Sequence, residues 1–425
     1  METKTEETRG SLAAPARVSS EGRHILRAGF IPLVDAAVLI AAREFGFAER
    51  EGLALDLVKD VSWANVRDRL AFRQYDVAHM LSPMPVASML ELGSNPSPTI
   101  TAFSLGRGGN AITLSTRLFQ KMREETGLSE QAGALESAVT MATVLDAARQ
   151  RGEPPPTFGV TYPFSSHNYE FRYWLAAGGV DPDNDVKLVV VPPPLTSDAL
   201  ATGSIDGFCV GAPWNMIACE RGVGRIVAAK QDIWPSAPEK VIGMRPQWAA
   251  AHPERVSRMI VALDRSARWC DDPQNHDALA EVLADTAYLG APLDIVRRVL
   301  AGEFNLDASG TKRVIDGYMR FHSSNANYPR PSQAVWIYSQ MVRWGQVALT
   351  DAGTKAAASG YRPDLYRNAL GDAQCPVDDD FRIEGLQAQD RFLDGRIFDP
   401  SKVDEYVEGF AVKSKRMAGG GDDQS

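Results

Sequence analysis

Asp206-Gly207-Phe208-Cys209-Val210-Gly211-Ala212-Pro213-Trp214 is the stretch whose reading decides the fold. Asp206-Gly207 reads as a turn entering a short apolar strand, Phe208 to Val210. Gly211-Ala212-Pro213 ends that strand and starts a helix carrying Trp214. A strand that stops at a Gly/Pro corner and opens a helix is where α/β folds place small ligands. Any strand-to-helix connection can use Gly and Pro, so the corner gains its weight from its company. Ser166-His167-Asn168 precedes it and Pro238-Glu239-Lys240 follows it. A His and a Lys reachable from one crevice point to a small anion.

Working outward, the chain reads as two similar α/β units. In the first, strands are expected over 25–31, 53–58, 75–80, 100–105 and 111–115, with helices over 36–45, 63–72 (capped by Ser62) and 83–92. In the second, helices over 140–149, 169–177 and 198–202 alternate with strands over 157–160, 186–191 and 208–210. This order implies parallel sheets with crossover helices. Two such units side by side make a bilobal α/β protein with a cleft between the lobes. After Lys240 the pattern turns helical, over 257–270, 276–289, 292–300 and 333–344. The expected organisation is a disordered tail (1–24), lobe 1 (25–115), lobe 2 (116–240), a return to lobe 1 with a helical extension (241–410) and a flexible tail (411–425).

The 425 residues are enough for roughly two or three domains. With 44% hydrophobic residues, the composition is that of a soluble globular protein able to bury sizeable cores. A net charge of −9 argues against nucleic acid or an anionic membrane as a direct partner. It leaves a small anion possible, because a site's local charge is what the ion meets at close range. Residues 2–23 are interrupted only by Leu12-Ala13-Ala14 as an apolar run, short of a secretory core of roughly 7–15 residues. No apolar run approaches the roughly 20 residues of a membrane helix. Cys209, Cys219, Cys270 and Cys375 show no CxxC spacing and read as reduced. A cytoplasmic location is expected.

Individual residues carry two readings each. Trp63 is either a half-buried aromatic over a sheet edge or an indole N–H donor at a strand's carboxyl end. Arg107-Gly108-Gly109-Asn110 is either a turn or a loop whose glycines bring backbone N–H groups to an anion, with the Asn110 amide as a further donor. His167, just before a helix, is structural or faces an anion; His79, within a strand, reads as packing. Pro192-Pro193-Pro194 ends a strand or forms an apolar wall beside a flat ligand. Lys240 is a surface lysine loosely paired with Glu239 or the compact positive charge of a cleft. No His/Cys/carboxylate cluster has metal spacing, so no metal or cofactor is expected. GxSxG, Walker and GxGxxG motifs and paired carboxylates are missing, so binding is preferred to catalysis.

Several strings together resemble a known family. Arg27-Ala-Gly-Phe-Ile-Pro-Leu, Ser62-Trp-Ala-Asn, Ala78-His-Met-Leu-Ser-Pro-Met-Pro, Gly109-Asn-Ala-Ile-Thr-Leu, Phe171-Arg-Tyr-Trp-Leu-Ala-Ala-Gly-Gly, Val191-Pro-Pro-Pro, the opening stretch with Asn215, and Arg343-Trp-Gly-Gln are similar to the nitrate/nitrite/bicarbonate solute-binding family of ABC transporters. The resemblance implies a periplasmic-binding-protein-like fold of type II with a helical C-terminal extension. It implies nitrate or nitrite bound in the interlobe cleft by Trp63, Gly109, Asn110, His167, the Pro193 wall and Lys240. Bicarbonate-binding relatives carry a carboxylate at the Lys240 position, together with calcium, so Lys240 favours nitrate or nitrite. Some nitrate binders carry Gln at the Asn110 position, which leaves the choice between the two anions open. With a cytoplasmic location, the chain resembles the family's sensor branch, the NasS type, which holds an ANTAR-type RNA-binding antiterminator (NasT) and releases it on anion binding. The alternatives are an exported solute-binding component of a nitrate or bicarbonate ABC transporter, and an enzyme like the thiamine-pyrimidine precursor synthases, whose cysteine-rich motif is absent.

Overall fold

The structure, a computed structural model, describes residues 22–372, 375–376 and 379–414. Most of both expected terminal tails lies outside the described residues. The first ten strands all belong to the sheets of the two lobes: β1 (His24–Phe30), β2 (Leu53–Lys59), β3 (Val77–Leu81), β4 (Ile100–Gly108), β5 (Asn110–Ser115), β6 (Thr157–Val160), β7 (Lys187–Val190), β8 (Gly207–Gly211), β9 (Gly224–Ala229) and β10 (Pro238–Met244). A small hairpin, β11 (Glu303–Asn305) with β12 (Lys312–Val314), and a short strand β13 (Met319–Arg320) follow. Lobe 1 has the strand order β13-β4-β10-β3-β1-β2 and lobe 2 the order β7-β6-β8-β5-β9. The architecture is the bilobal, periplasmic-binding-protein-like α/β fold expected from the sequence.

The two sheets follow one plan. In each, three parallel strands (β2-β1-β3 and β7-β6-β8) meet an antiparallel strand that has just crossed from the other lobe. That strand is β10 in lobe 1, pairing Lys240 with Leu81, and β5 in lobe 2, pairing Asn110 with Gly211. Both arriving strands therefore begin at the carboxyl ends of the parallel strands, where α/β sheets hold ligands.

Two sequence expectations need correcting. The lobe boundary lies at Gly108–Gly109 rather than after residue 115, because β5 belongs to the second sheet. The two glycines have φ of 87° and 88°, which lets the chain step between sheets where a hairpin would otherwise form. The chain also does not turn helical directly after Lys240. Residues Pro238–Met244 form a strand buried along its whole length between β4 and β3, with Pro238 at its first position, where a missing N–H is tolerated.

The crossing is sterically exacting. A Cβ on Gly108 would lie 1.8 Å from the Tyr318 carbonyl oxygen, a backbone atom that cannot swing away. Gly108→Ala is expected to lower stability by at least about 2 kcal/mol, read as a shift of the urea midpoint.

After β10 the chain returns to lobe 1, where helix Pro253–Asp271 packs on helix Ala37–Glu44 and Ser266 Oγ donates to Val38 O at 2.8 Å. Helix Pro331–Arg343, buried on every face, anchors an extension that touches both lobes. On lobe 2, Tyr169 OH donates to Gln346 Oε1 and Tyr173 OH to Asp394 Oδ1, both at 2.7 Å. On lobe 1, Tyr361 OH donates to Ser82 O at 3.1 Å. Among the described residues no helix is long and apolar enough to cross a membrane.

Candidate functional site

Three buried carboxylates and two buried lysines converge where the two crossings meet the lobes. Asp35 comes from a short 3-10 turn after β1, and Glu170 from helix Ser166–Ala177 of lobe 2. Lys230 opens the helix that leads back to lobe 1, and Glu239 and Lys240 head β10. Consecutive strand residues normally face opposite ways. Here the ladder between β10 and β4 shifts register on both sides of Lys240, a β-bulge beside the residues that meet the cluster.

The contacts form one network. Lys240 Nζ lies 2.7 Å from Asp35 Oδ2 and also pairs with Glu239 Oε1. Lys230 Nζ bridges Glu170 Oε1 and Glu239 Oε2, and donates to Pro238 O at 3.2 Å. Asn110 Nδ2 donates to Glu170 Oε2 at 2.9 Å and to Glu239 Oε2 at 2.6 Å. Ser166 Oγ donates to Glu239 Oε1 at 2.9 Å. His79 Nε2 sits 3.0 Å from Asp35 Oδ1, while its Nδ1 accepts from the Ile31 N–H at 3.3 Å. His167 Nδ1 bonds Thr161 Oγ1 at 2.8 Å, and its Nε2 stands 3.6 Å from Glu239 Oε1. Trp63 begins a helix capped by Ser62, its ring 5.6 Å from Lys240 Nζ and edge-on to His79.

The protonation states follow from this packing. Burial pushes both imidazoles down, His167 to about 3 with the charge of Lys240 adding to the push. Burial alone would raise Asp35 and Glu239, but Lys240 together with His79 at Asp35, and Lys230 together with Lys240 at Glu239, outweigh it and hold both below the usual carboxylate range. Glu170 has a single lysine against its burial and is shifted up, which makes it the carboxylate most easily protonated. Burial opposes the charge of both lysines, and their carboxylate partners overcome it.

A histidine with a depressed folded pKa takes up protons more readily when unfolded, so its contribution to stability is lost as pH falls below 6.5. For His167 that contribution reaches up to about 5 kcal/mol between pH 6.5 and 3. Stability measured by denaturant titration is therefore expected to fall steeply on acidification from pH 7 to pH 4.

The lobes meet directly over this cluster. Val34 N–H donates to Ala212 O at 3.0 Å, Trp214 Nε1 to Pro32 O at 3.3 Å, and Arg67 Nη1 to Tyr162 OH at 2.8 Å. A Cβ on Gly211 would stand 3.1 Å from Asp35 Oδ2, so the corner singled out in the sequence is where lobe 2 presses on lobe 1.

The sequence profile of the NMT1-like family matches residues 20–284, well over half of the chain. The chain belongs to this family. It is 32% identical over 427 residues to the nitrate/nitrite binding protein NrtA of Synechococcus elongatus, covering 96% of this chain and 92% of that protein. It is 33% identical over 389 residues to the nitrate import ATP-binding protein NrtC of a Synechocystis species, covering 90% of this chain and 55% of that larger protein. This chain thus spans about half of NrtC's length. The crystal structure of the periplasmic nitrate-binding protein NrtA from Synechocystis superposes with a TM-score of 0.80 at 26% identity, covering 91% of this chain and 98% of that one.

In this NMT1-like chain, Trp63, Asn110, His167 and Lys240 are brought together from four separate elements, each at most 1% exposed. Two other residues singled out in the sequence stand apart. The Gly109 N–H donates to Tyr318 O at 3.1 Å, so it serves the crossing rather than facing the cluster. Pro193 opens a 3-10 turn after edge strand β7, its carbonyl taken by Thr196 Oγ1 at 2.9 Å, outside the bonded network. Asp35, Glu170 and Lys230 carried no sequence signal, His79 read as packing, and Glu239 read as a loose surface partner. Lys240 is no surface lysine: its side chain is 1% exposed.

Proposed function

We propose that this protein binds nitrate or nitrite in the cleft between its lobes and is not an enzyme. One observation carries the reading. The Trp63 indole N–H is buried beside the Lys240 ammonium with no hydrogen-bond partner. A buried unpaired donor costs about 1–3 kcal/mol, so a native fold that keeps one beside a cation has a use for it. His167 Nε2 is a second such group, since its nearest acceptor lies beyond bonding distance at 3.6 Å. When the Thr161 hydroxyl donates to Nδ1, the imidazole proton sits on Nε2 and is available to an anion. Lys240 supplies the full charge, Trp63 and His167 supply neutral donors, and Asn110 adds an amide. Pro193 is the proposed apolar wall and Gly109 the hinge that lets the lobes close.

Calorimetric titration with nitrate, nitrite and bicarbonate, with and without calcium, tests this. Calcium-independent binding of nitrate or nitrite is expected; binding of bicarbonate alone would refute the role of Lys240. Trp63→Phe keeps the ring and removes the N–H, and should weaken the anion roughly tenfold with little change in thermal stability.

Two settings use such a cleft. The sequence expectation favours a cytoplasmic sensor that holds an ANTAR-type antiterminator when empty and releases it when the anion closes the cleft. Anion and partner then weaken each other by the same factor, typically about 1–3 kcal/mol. The names of the relatives favour a solute-binding component of a nitrate transporter. Cell fractionation, with capture of the antiterminator in the presence and absence of nitrate, separates the two. Anion-sensitive capture supports the sensor, and recovery from the periplasm supports the transporter.

A further inference from the structure

The groups proposed to hold the anion are already engaged by a carboxylate of the chain itself. Glu239 pairs through Oε1 with Lys240, accepts from Ser166 Oγ at 2.9 Å and stands 3.6 Å from His167 Nε2. Through Oε2 it accepts from Asn110 Nδ2 at 2.6 Å and pairs with Lys230. Lys240, His167 and Asn110, three of the four polar anion ligands, therefore all face one carboxylate. A carboxylate is a planar, singly charged group with two oxygens on one central atom, the same pattern as nitrite and as one edge of nitrate. Glu170, on helix Ser166–Ala177 of lobe 2, shares Lys230 and Asn110 with Glu239 but pairs with neither Lys240 nor His167.

Resting on the anion-binding reading, we infer that Glu239 is an internal stand-in for the anion. In the empty protein its carboxylate fills the positive end of the cleft, and an incoming anion binds by displacing it from Lys240 and His167. This arrangement explains how two buried lysines coexist with closed lobes, since an unpaired buried charge is strongly destabilising. It also sets a threshold for selectivity: an anion is accepted only if Lys240 and its neighbours prefer it to a carboxylate already in place. Glu239 is thus a specificity-determining residue that acts by competition.

The test compares E239Q, E170Q and the wild type by calorimetric titration with nitrate and nitrite. Both substitutions remove one negative charge from the same cluster, but only E239Q frees Lys240 and His167. E239Q is expected to bind at least about tenfold more tightly than wild type, and E170Q, which releases only one of the two carboxylates on Asn110, to tighten by clearly less. A wild type that binds while E239Q binds equally or more weakly overturns the stand-in and leaves the anion site intact. Equal tightening in E239Q and E170Q also overturns it, because general charge relief would then suffice. Silence of wild type and both variants overturns the anion-binding reading, and the stand-in with it. Should E239Q fail to fold, difference infrared spectroscopy of the wild type decides: nitrate should shift a carboxylate stretching band, and an unchanged carboxylate region refutes the displacement.

Discussion

Lys240→Met is expected to lower nitrate and nitrite affinity by at least about a hundredfold, because in the proposed site it removes the one full charge offered to the anion. Met matches the length of the lysine stem, so packing is largely kept and the loss reads on charge. The same change leaves Asp35 and Glu239 buried without their common partner, at a cost of about 3–5 kcal/mol. The two effects separate in one experiment. Adding Asp35→Asn should restore much of the stability, since it removes the stranded charge, while leaving the anion unbound. Calorimetry on both variants checks the first effect and urea unfolding the second. Retained affinity in Lys240→Met would remove this lysine from the site.

Lys230→Met should damage the fold about as much as Lys240→Met. Lys230 Nζ joins Glu170 to Glu239, and without it two carboxylates share Asn110 as their remaining common donor. A loss of about 3–5 kcal/mol is expected near neutral pH. The pH dependence identifies the cause. Like charges at close range raise the folded-state pKa of one carboxylate above its unfolded value. The folded variant then binds more protons than the unfolded chain, so its stability relative to wild type improves as pH falls and worsens as pH rises through that raised pKa. Glu170→Gln should rescue the variant at neutral pH. A deficit that is independent of pH would show that lost packing, not stranded charge, is responsible.

The sequence reaches some parts of this molecule more readily than others, for physical reasons. The parallel strands were legible because each is an apolar run bounded by turn residues, and Ser62 announced its helix by capping Asn65 N–H. Trp63, His167 and Lys240 stood out because each lies near a strand end or a helix start. Strand β10 was hidden because it opens with Pro238, Glu239 and Lys240, a composition that reads as surface although all seven residues are buried. The lobe boundary was hidden for a related reason: β4 and β5 are separated by one residue, which looks like a hairpin until the sheets are assembled. Asp35 and Glu170 left no local trace, and Glu239 showed only as a surface partner of Lys240. Asp35 and Glu170 lie far along the chain from the two lysines, and only the assembled lobes bring them onto the pair that Glu239 already adjoins. Sequence patterns report residue type and period along one element, and convergence between elements is a property of the assembled fold.

The extension built on helix Pro331–Arg343 grips lobe 2 through Tyr169 and Tyr173 and lobe 1 through Tyr361. It is placed as a lever arm would be, with a foot on each lobe. A rotation about the Gly108–Gly109 crossing would shear Asp394 and Gln346 against Tyr361, so a displacement in the interior would become a change of shape on the outside. Under the proposed anion binding, a partner held at the extension would sense a movement of the lobes without approaching the ligand.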